Sequence, residues 1–139
     1  MRGLDFFSDF LRLSEKRDFV VDDLSGELSL ANPVCGDEVR LKVEIETERI
    51  VSVKCQVKGC WPVHGCLQWL GEKFVGSNVS DALGFKLEEF LGAVRGVPAS
   101  KRHAFSLTHR AFRRAVTQSM MQTGPKRVGT VGPQGKERV

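Results

Sequence analysis

The sequence predicts an α+β fold in which a small antiparallel sheet of about three strands packs against helices. Three observations carry this prediction: two neighbouring segments alternate apolar and polar residues, a charged reversal joins them, and helical spacing replaces the alternation after Gly59. Alternation with a period of two is typical of half-buried strands, whereas apolar residues three or four positions apart are typical of helices. With 139 residues, the chain is long enough to bury one core and too short for two domains.

The predicted strands begin near residue 27 and end near residue 57. Inward-facing residues of the central hairpin are predicted to be Val39, Leu41, Val43 and Ile45 in one strand and Val51, Val53, Cys55 and Val57 in the next. Glu48 and Arg49 lie at the reversal between them, so the two strands are expected to pair antiparallel. A further short strand at residues 27–30 brings the sheet to about three strands.

Helices are predicted before and after the strands along the chain. An apolar stripe covers residues 4–13, and a second helix starts near Trp61. Residues 83–91 favour one or two shorter helices. A last helix runs from about Ser100, which is a suitable N-cap residue, to about Met120. The residues of this helix expected to face inward are Phe105, Phe112, Ala115 and Val116.

The chain divides into one folded domain at residues 1–120 and a basic tail at residues 121–139. The tail is rich in Gly, Pro and charge and is expected to be disordered. The net charge is +4, and residues 122–139 account for +3 of it, because they hold four Lys and Arg against Glu137. Since only about +1 remains on the domain, the basic patch of a nucleic-acid binder is not predicted.

Composition points to an ordinary soluble globular protein, with 41% hydrophobic and 27% charged residues. No apolar run approaches the roughly 20 residues needed to cross a bilayer. Asp5 and Asp9 interrupt the apolar character of the N-terminus, so we expect no signal peptide, no membrane contact and a cytoplasmic location. In a reducing cytosol the four cysteines are expected to be free thiols, metal ligands or core residues rather than disulfides.

Two cysteines lie at the ends of the predicted hairpin. Cys35 belongs to a tight loop before the first strand, with Asp37 two residues later as a second candidate ligand. Cys60 falls where the second strand stops and a helix begins, and free N–H groups there favour a thiolate. Because the start of one strand and the end of the other share a sheet edge, these cysteines can meet. The alternative is a turn with a buried cysteine and a solvated aspartate.

The remaining candidate residues carry weaker signals. His103 lies at the start of the last helix, where a lone histidine is usually an exposed polar residue. It becomes a candidate ligand only if that helix packs its N-terminus against the edge that holds the two cysteines. His64 lies four residues after Cys60 and could supply a missing ligand. Cys55 and Cys66 are expected in the core, and His109 is expected on a solvated face among arginines.

The motif Asn-Pro-x-Cys-Gly-Asp, followed by a hairpin and by Gly-Cys at a helix start, resembles the IscU/SufU/NifU N-terminal iron–sulfur scaffold family over residues 4–118. Residues 97–107 also align without a gap to the late Leu-Pro-Pro-Val-Lys-x-His-Cys motif of that family. The resemblance implies a SufE/NifU-like fold. It implies that Cys35, Asp37, Cys60 and His103 converge on one metal site and that Lys101 lies beside it.

The chain departs from the family at the third cysteine, which falls on Ala104. Alanine can neither accept sulfur nor ligate a cluster. Two thiolates, one carboxylate and one imidazole remain, and such a set suits tetrahedral zinc. The same set can hold a [2Fe–2S] cluster, for which non-cysteine ligation of one iron is known chemistry.

The resemblance implies a non-enzymatic scaffold or carrier that binds iron or a labile iron–sulfur cluster and passes it to apo-proteins. It also implies a cysteine desulfurase as partner, and an Hsp70-type chaperone that recognises residues 98–101. One alternative is a degenerate paralog with structural zinc that acts as a regulatory or interaction subunit of a sulfur-mobilisation system. Another is a catalytic thiol at Cys35 or Cys60, whereas hydrolytic chemistry has no readable nucleophile and base.

Overall fold

The structure of the protein is a computed structural model that describes residues 3–24, 28–32 and 36–122. Its strands are β1 (Leu4–Asp5), β2 (Leu28–Asn32), β3 (Asp37–Glu46), β4 (Arg49–Lys58) and β5 (Val94–Arg95). Its α-helices are α1 (Leu11–Ser14), α2 (Trp61–Phe74), α3 (Val79–Gly84), α4 (Leu87–Gly92) and α5 (Arg102–Gln122). A π-helical turn (Phe6–Phe10) precedes α1, and a 3₁₀ turn (Ala99–Lys101) leads into α5.

The main sheet has three antiparallel strands in the order β2-β3-β4. Its register pairs Leu41 of β3 with Cys55 of β4, so that alternate residues of both strands face the helices. The predicted α+β fold with a small antiparallel sheet covered by helices is therefore confirmed. The pairing shifts at Glu44/Ile45, and for this reason Ile50, not Val51, is buried at the start of β4.

Further pairings within the described ranges were not predicted from the sequence. The chain runs parallel to β4 around Val20, where the N–H of Cys55 donates to the carbonyl of Phe19 and the N–H of Val21 donates to the carbonyl of Cys55. In addition, β1 and β5 form a parallel pair of two residues each. Segments this short carry no periodicity, so no sequence pattern announces them.

The core lies between the main sheet and the helices α2 and α5, which pack against each other and against the sheet. It is rich in phenylalanine, and Phe10 stacks on Phe105 with ring centroids 5.3 Å apart. The four residues of α5 that were predicted to face inward are all buried. In this way the core fixes α5 across β3, with the N-terminus of the helix at one edge of the sheet.

The last helix extends slightly beyond its predicted end. Helix α5 continues to Gln122, two residues past Met120. Residues 123–139 lie outside the described residues, so the disordered tail stays a prediction. Among the helices of the described ranges, none is both long and apolar enough to cross a bilayer.

Candidate functional site

Three polar side chains meet at the edge of the sheet where β3 begins and β4 ends. Asp37 is the first residue of β3, Cys60 is the N-cap of α2, and His103 is the second residue of α5. One donor atom from each residue lies within 4.8 Å of the other two. In the described part of the chain, no other group of three His, Cys, Asp or Glu residues comes this close together.

Cys35 was predicted as the fourth member of this site and lies outside the described residues. The chain resumes at Gly36, whose φ of +73° is in the left-handed region that glycine adopts without strain. Asp37 follows at once. The three described residues are therefore the basis for the geometry, and the role of Cys35 remains a prediction from its position two residues before Asp37.

Asp37 is the centre of the site. Its side chain is only 5% exposed, and three polar groups surround its carboxylate. The backbone N–H of Cys60 donates to Oδ1 over 3.3 Å, and the thiol of Cys60 donates to Oδ2 over 3.3 Å. Nε2 of His103 lies 3.0 Å from Oδ2. A buried carboxylate needs such partners, since leaving it unpaired would cost several kcal/mol.

Gly59 makes room for this carboxylate. A Cβ atom at position 59 would lie 2.6 Å from Oδ1 and 2.8 Å from Cγ of Asp37. Both distances are well inside van der Waals contact, and Asp37 is too deeply buried to move aside freely. The glycine before Cys60 is thus a requirement of the site. Its place directly before a cysteine was the signal in the sequence, although its contact with Asp37 could not be read there.

His103 is oriented by the backbone of the preceding turn. Its Nδ1 lies 3.0 Å from the carbonyl oxygen of Ser100, which can only accept a hydrogen bond. Nδ1 must therefore carry the proton, and in a neutral ring Nε2 then presents a lone pair to Oδ2 of Asp37. Two acceptors 3.0 Å apart require a shared proton or a cation between them. A ring N–H held by a backbone carbonyl is also the usual arrangement behind a metal-binding histidine.

The sequence predicted a thiolate at Cys60, and this prediction is wrong for the fold, in which the surroundings of the thiol disfavour its charged form. Burial, together with the hydrogen bond and negative charge of Asp37, raises the pKa of Cys60 above its ordinary value. The backbone N–H of Val63 and the positive charge of Lys101 act in the opposite direction. A metal ion at this site would displace the proton, as thiolate ligation requires.

The other predicted candidates lie elsewhere. His64 is not among the three converging residues, and burial followed by the charge of Arg17 lowers its pKa. Cys55 and Cys66 are buried in the core, as expected, and burial raises the pKa of Cys55 to about 12. His109 differs from the expected solvated residue, since its ring is half-buried and bonded to the carbonyl of Phe85 over 2.8 Å.

Ala104 follows His103 and is fully buried. The methyl group therefore occupies the position at which the resemblance places a third cysteine. Among the described residues, the site offers one sulfur, one carboxylate and one imidazole. This combination of ligands suits zinc and iron and is poor for magnesium or calcium, which prefer oxygen alone.

Comparison with known proteins identifies relatives of this chain. Residues 14–125 match the family described as NifU-like N terminal domain. The chain is 28% identical over 104 residues to the iron–sulfur cluster assembly scaffold protein IscU 1 of Archaeoglobus fulgidus, covering 75% of this chain and 68% of that protein. It is 30% identical over 84 residues to the nitrogen fixation protein NifU of a Nostoc species, covering 59% of this chain and 28% of NifU.

Solved structures show the same architecture. FiSufU from Fervidobacterium islandicum AW-1 superposes with a TM-score of 0.60 at 18% identity, over 78% of this chain and 95% of that one. The N-terminal part of a NifU-like protein from Brucella abortus superposes with a TM-score of 0.62 at 11% identity, over 82% of this chain and 93% of that one. At these identities the likeness shows the fold alone. The match over residues 14–125 shows more: the chain belongs to the NifU-like N-terminal domain family.

Proposed function

We propose that this protein is a non-enzymatic scaffold of iron–sulfur cluster assembly, which receives iron or a labile cluster and passes it to apo-proteins. The observation that carries the proposal is the convergence of Asp37, Cys60 and His103 within 4.8 Å at one edge of the sheet. Family membership supports it, since the relatives from Archaeoglobus fulgidus are scaffold proteins by name.

Each donor has a distinct role in this proposal. Cys60 supplies a thiolate once its proton leaves, and His103 supplies Nε2 because Ser100 holds the proton of Nδ1. Asp37 supplies an oxygen that exchanges more readily than sulfur. Cys35, two residues before Asp37, supplies the second thiolate. The donor set is that of a tetrahedral N/O/S site, in which iron, zinc or one iron of a [2Fe–2S] cluster fits.

The absence of a thiol at Ala104 favours a weakly held cargo. Cluster irons prefer thiolates, and a site with one oxygen and one nitrogen donor holds a cluster less firmly. Weak retention suits a protein that must give its cargo away. It also distinguishes this chain from a permanent iron–sulfur protein, in which tight retention is required.

The partners of the proposed function follow from the cargo. Sulfur must come from a donor such as a cysteine desulfurase, and the cluster must go to apo-proteins in the cytoplasm. An Hsp70-type chaperone would engage residues 98–101, of which Ala99 and Ser100 are exposed. Because the carbonyl of Ser100 orients His103, a chaperone that pulls on this segment would disturb a ligand directly.

Anaerobic reconstitution tests the proposal. The protein is incubated with ferrous iron and sulfide, and the product is examined for charge-transfer absorption and for transfer to an apo-ferredoxin. We expect a coloured protein that activates the apo-ferredoxin and a Cys60→Ala variant that does neither. Cys55→Ser is the matched control, since this core cysteine should affect stability and leave binding intact. A colourless wild type with no transfer would contradict the scaffold role.

A second function deserves a test because the donor set itself suits structural zinc. In this case the protein would be a paralog that serves as a regulatory or interaction subunit of a sulfur-mobilisation system. Metal and sulfide analysis of protein purified without oxygen separates the two functions. Iron with sulfide supports the scaffold, and one tightly bound zinc per chain without sulfide supports the paralog.

A further inference from the structure

Positive charge is concentrated on the last helix. Over its 21 residues, α5 (Arg102–Gln122) carries four arginines and two histidines and contains no Asp or Glu. Residues 1–101 carry 13 Lys and Arg against 16 Asp and Glu, a net charge of −3. The helix is therefore a basic element attached to an otherwise acidic domain.

The four arginines occupy one side of the helix and are all exposed: Arg102, Arg110, Arg113 and Arg114, here called the basic stripe. At about 100° per residue, they fall within roughly 120° of the helix circumference. The opposite side is the apolar face that packs on the sheet. The stripe begins beside His103, so it runs from the site along the surface of the molecule.

Three of these arginines lack a counter-charge among the described residues. In the described part of the chain, no carboxylate forms an ion pair with Arg102, Arg110 or Arg114. Arg113 donates to the backbone carbonyl of Leu83, which ties the helix to α3 without neutralising the charge. The only carboxylates outside the described residues are Glu27 and Glu137.

The sequence that follows α5 does not supply the missing negative charge. Residues 123–139 hold four Lys and Arg against Glu137, so they would repel the stripe rather than cover it. Arg110 and Arg114 are four positions apart, a spacing at which like charges destabilise a helix. A surface of this kind gains most from a partner that brings carboxylates.

We propose that the basic stripe is a docking surface for an acidic face of a partner protein. The guanidinium group binds a carboxylate through two parallel hydrogen bonds, which makes arginine better suited than lysine to such a contact. Since the stripe starts at Arg102, a partner bound along it lies next to His103. This inference concerns the helix surface and does not rest on the proposed function, because it requires no metal or cluster.

A nucleic acid fits the stripe less well than an acidic protein. From Arg102 to Arg114 the stripe spans about 18 Å, which is short for a phosphate backbone. The aromatic residues of α5, Phe105 and Phe112, are buried and offer no stacking surface for bases.

Binding of an acidic peptide tests the proposal. The probe is a fluorescein-labelled helical peptide of about 15 residues, rich in glutamate and alanine, and its Kd is measured by anisotropy with full-length protein. The stripe variant is Arg102→Gln/Arg110→Gln/Arg114→Gln. The matched control, Arg17→Gln/Lys86→Gln/Arg95→Gln, removes three exposed cations elsewhere that form no ion pair with a described carboxylate. We expect about tenfold weaker binding for the stripe variant and less than about twofold for the control.

Further variants and probes decide the origin of the effect. A triple Arg→Lys variant at the same positions should keep the charge and recover part of the binding, which excludes misfolding as the cause; the part that is not recovered reports the paired hydrogen bonds that only arginine makes. Equally weak peptide binding by the stripe variant and the control variant would overturn the proposal, since the net charge of the protein alone would then explain the affinity. Tighter stripe-dependent binding of duplex DNA would overturn it in favour of a nucleic acid. Self-association that the stripe variant abolishes would overturn it in favour of a second copy of this chain.

Discussion

Nε2 of His103 lies 3.0 Å from Oδ2 of Asp37, although the two residues are 66 positions apart in the chain. The contact joins the N-terminus of α5 to the first residue of β3. Cys60 reaches the same carboxylate oxygen from the start of α2. Asp37 is therefore the residue on which the three elements meet, and its replacement should have the largest effect on the site.

Asp37→Ala should remove a ligand and leave the N–H of Cys60 without its acceptor. We expect the affinity for Zn²⁺ or Fe²⁺ to fall beyond the roughly 10- to 100-fold loss that is typical of an outer-shell partner. Isothermal titration calorimetry measures the change. Asp23→Ala, at an exposed position, is the control and should bind like the wild type. Unchanged affinity in Asp37→Ala would remove this residue from the site.

Gly59→Ala should displace the carboxylate of Asp37, because the added Cβ would lie 2.6 Å from its Oδ1 atom. We expect weaker metal binding and a loss of about 1–3 kcal/mol in the free energy of unfolding. Gly84→Ala is the matched control, since nothing lies within 4 Å of the Cβ that it would add. If both variants bind metal equally well, the close approach at Gly59 has no functional weight.

Alkylation should distinguish the three described cysteines. At pH 8 we expect iodoacetamide to modify Cys60, slowly because its pKa is raised, and to leave Cys55 and Cys66 intact until the protein unfolds. Only the thiolate reacts with iodoacetamide, so the rate of Cys60 modification should rise with pH. Added Zn²⁺ should protect Cys60. Peptide mass spectrometry reports each site, and early labelling of Cys66 would contradict its burial.

Cys55 should make the protein sensitive to alkali. Its pKa rises from 9.0 in the unfolded reference to about 12 in the fold. The free energy of unfolding therefore keeps its full value with respect to this group below pH 9 and falls as the pH rises toward 12. Between pH 9 and 11 the cost is about 1.4 kcal/mol per pH unit. Urea unfolding of wild type and Cys55→Val at several pH values measures the difference. If the free energies of unfolding of the two proteins change with pH in the same way, the role of Cys55 in alkaline destabilisation is contradicted.

Ala104→Cys should restore a thiol beside His103. We expect a reconstituted cluster to survive longer in this variant, at a cost of about 1–3 kcal/mol in stability because position 104 is fully buried. The decay of visible absorption under chelator measures the lifetime. Ala111→Cys adds the same atoms at a fully buried position two turns further along α5. A longer cluster lifetime in both variants would contradict a specific role of position 104, since any added thiol would then stabilise the cluster.

The sequence predicted the sheet well where periodicity was strong. Alternation placed β3 and most of β4 correctly, because one face of the hairpin is buried along most of its length. It misplaced the start of β4, where a register shift buries Ile50 and exposes Val51. A bulge leaves no mark in an apolar–polar pattern, since the pattern records which residues are apolar and not how two strands align.

The site was less accessible to such reasoning. Hairpin geometry alone relates Asp37 to Cys60, because β3 begins where β4 ends. The approach of His103 depends on how α5 packs across the sheet, which local patterns cannot fix, and it was expected only from the family resemblance. The contact of Gly59 with the buried carboxylate is a matter of ångströms and required coordinates.

The three donors belong to a strand, a helix cap and a second helix, so any ion that bridges them acts as a cross-link between distant parts of the polypeptide. Such a cross-link stabilises the native state by mass action, in proportion to the logarithm of ion concentration over Kd. Release of the ion would remove this cross-link. The emptied molecule would then open more easily at the start of α5, and proteases would discriminate full from empty molecules without touching the ligands themselves.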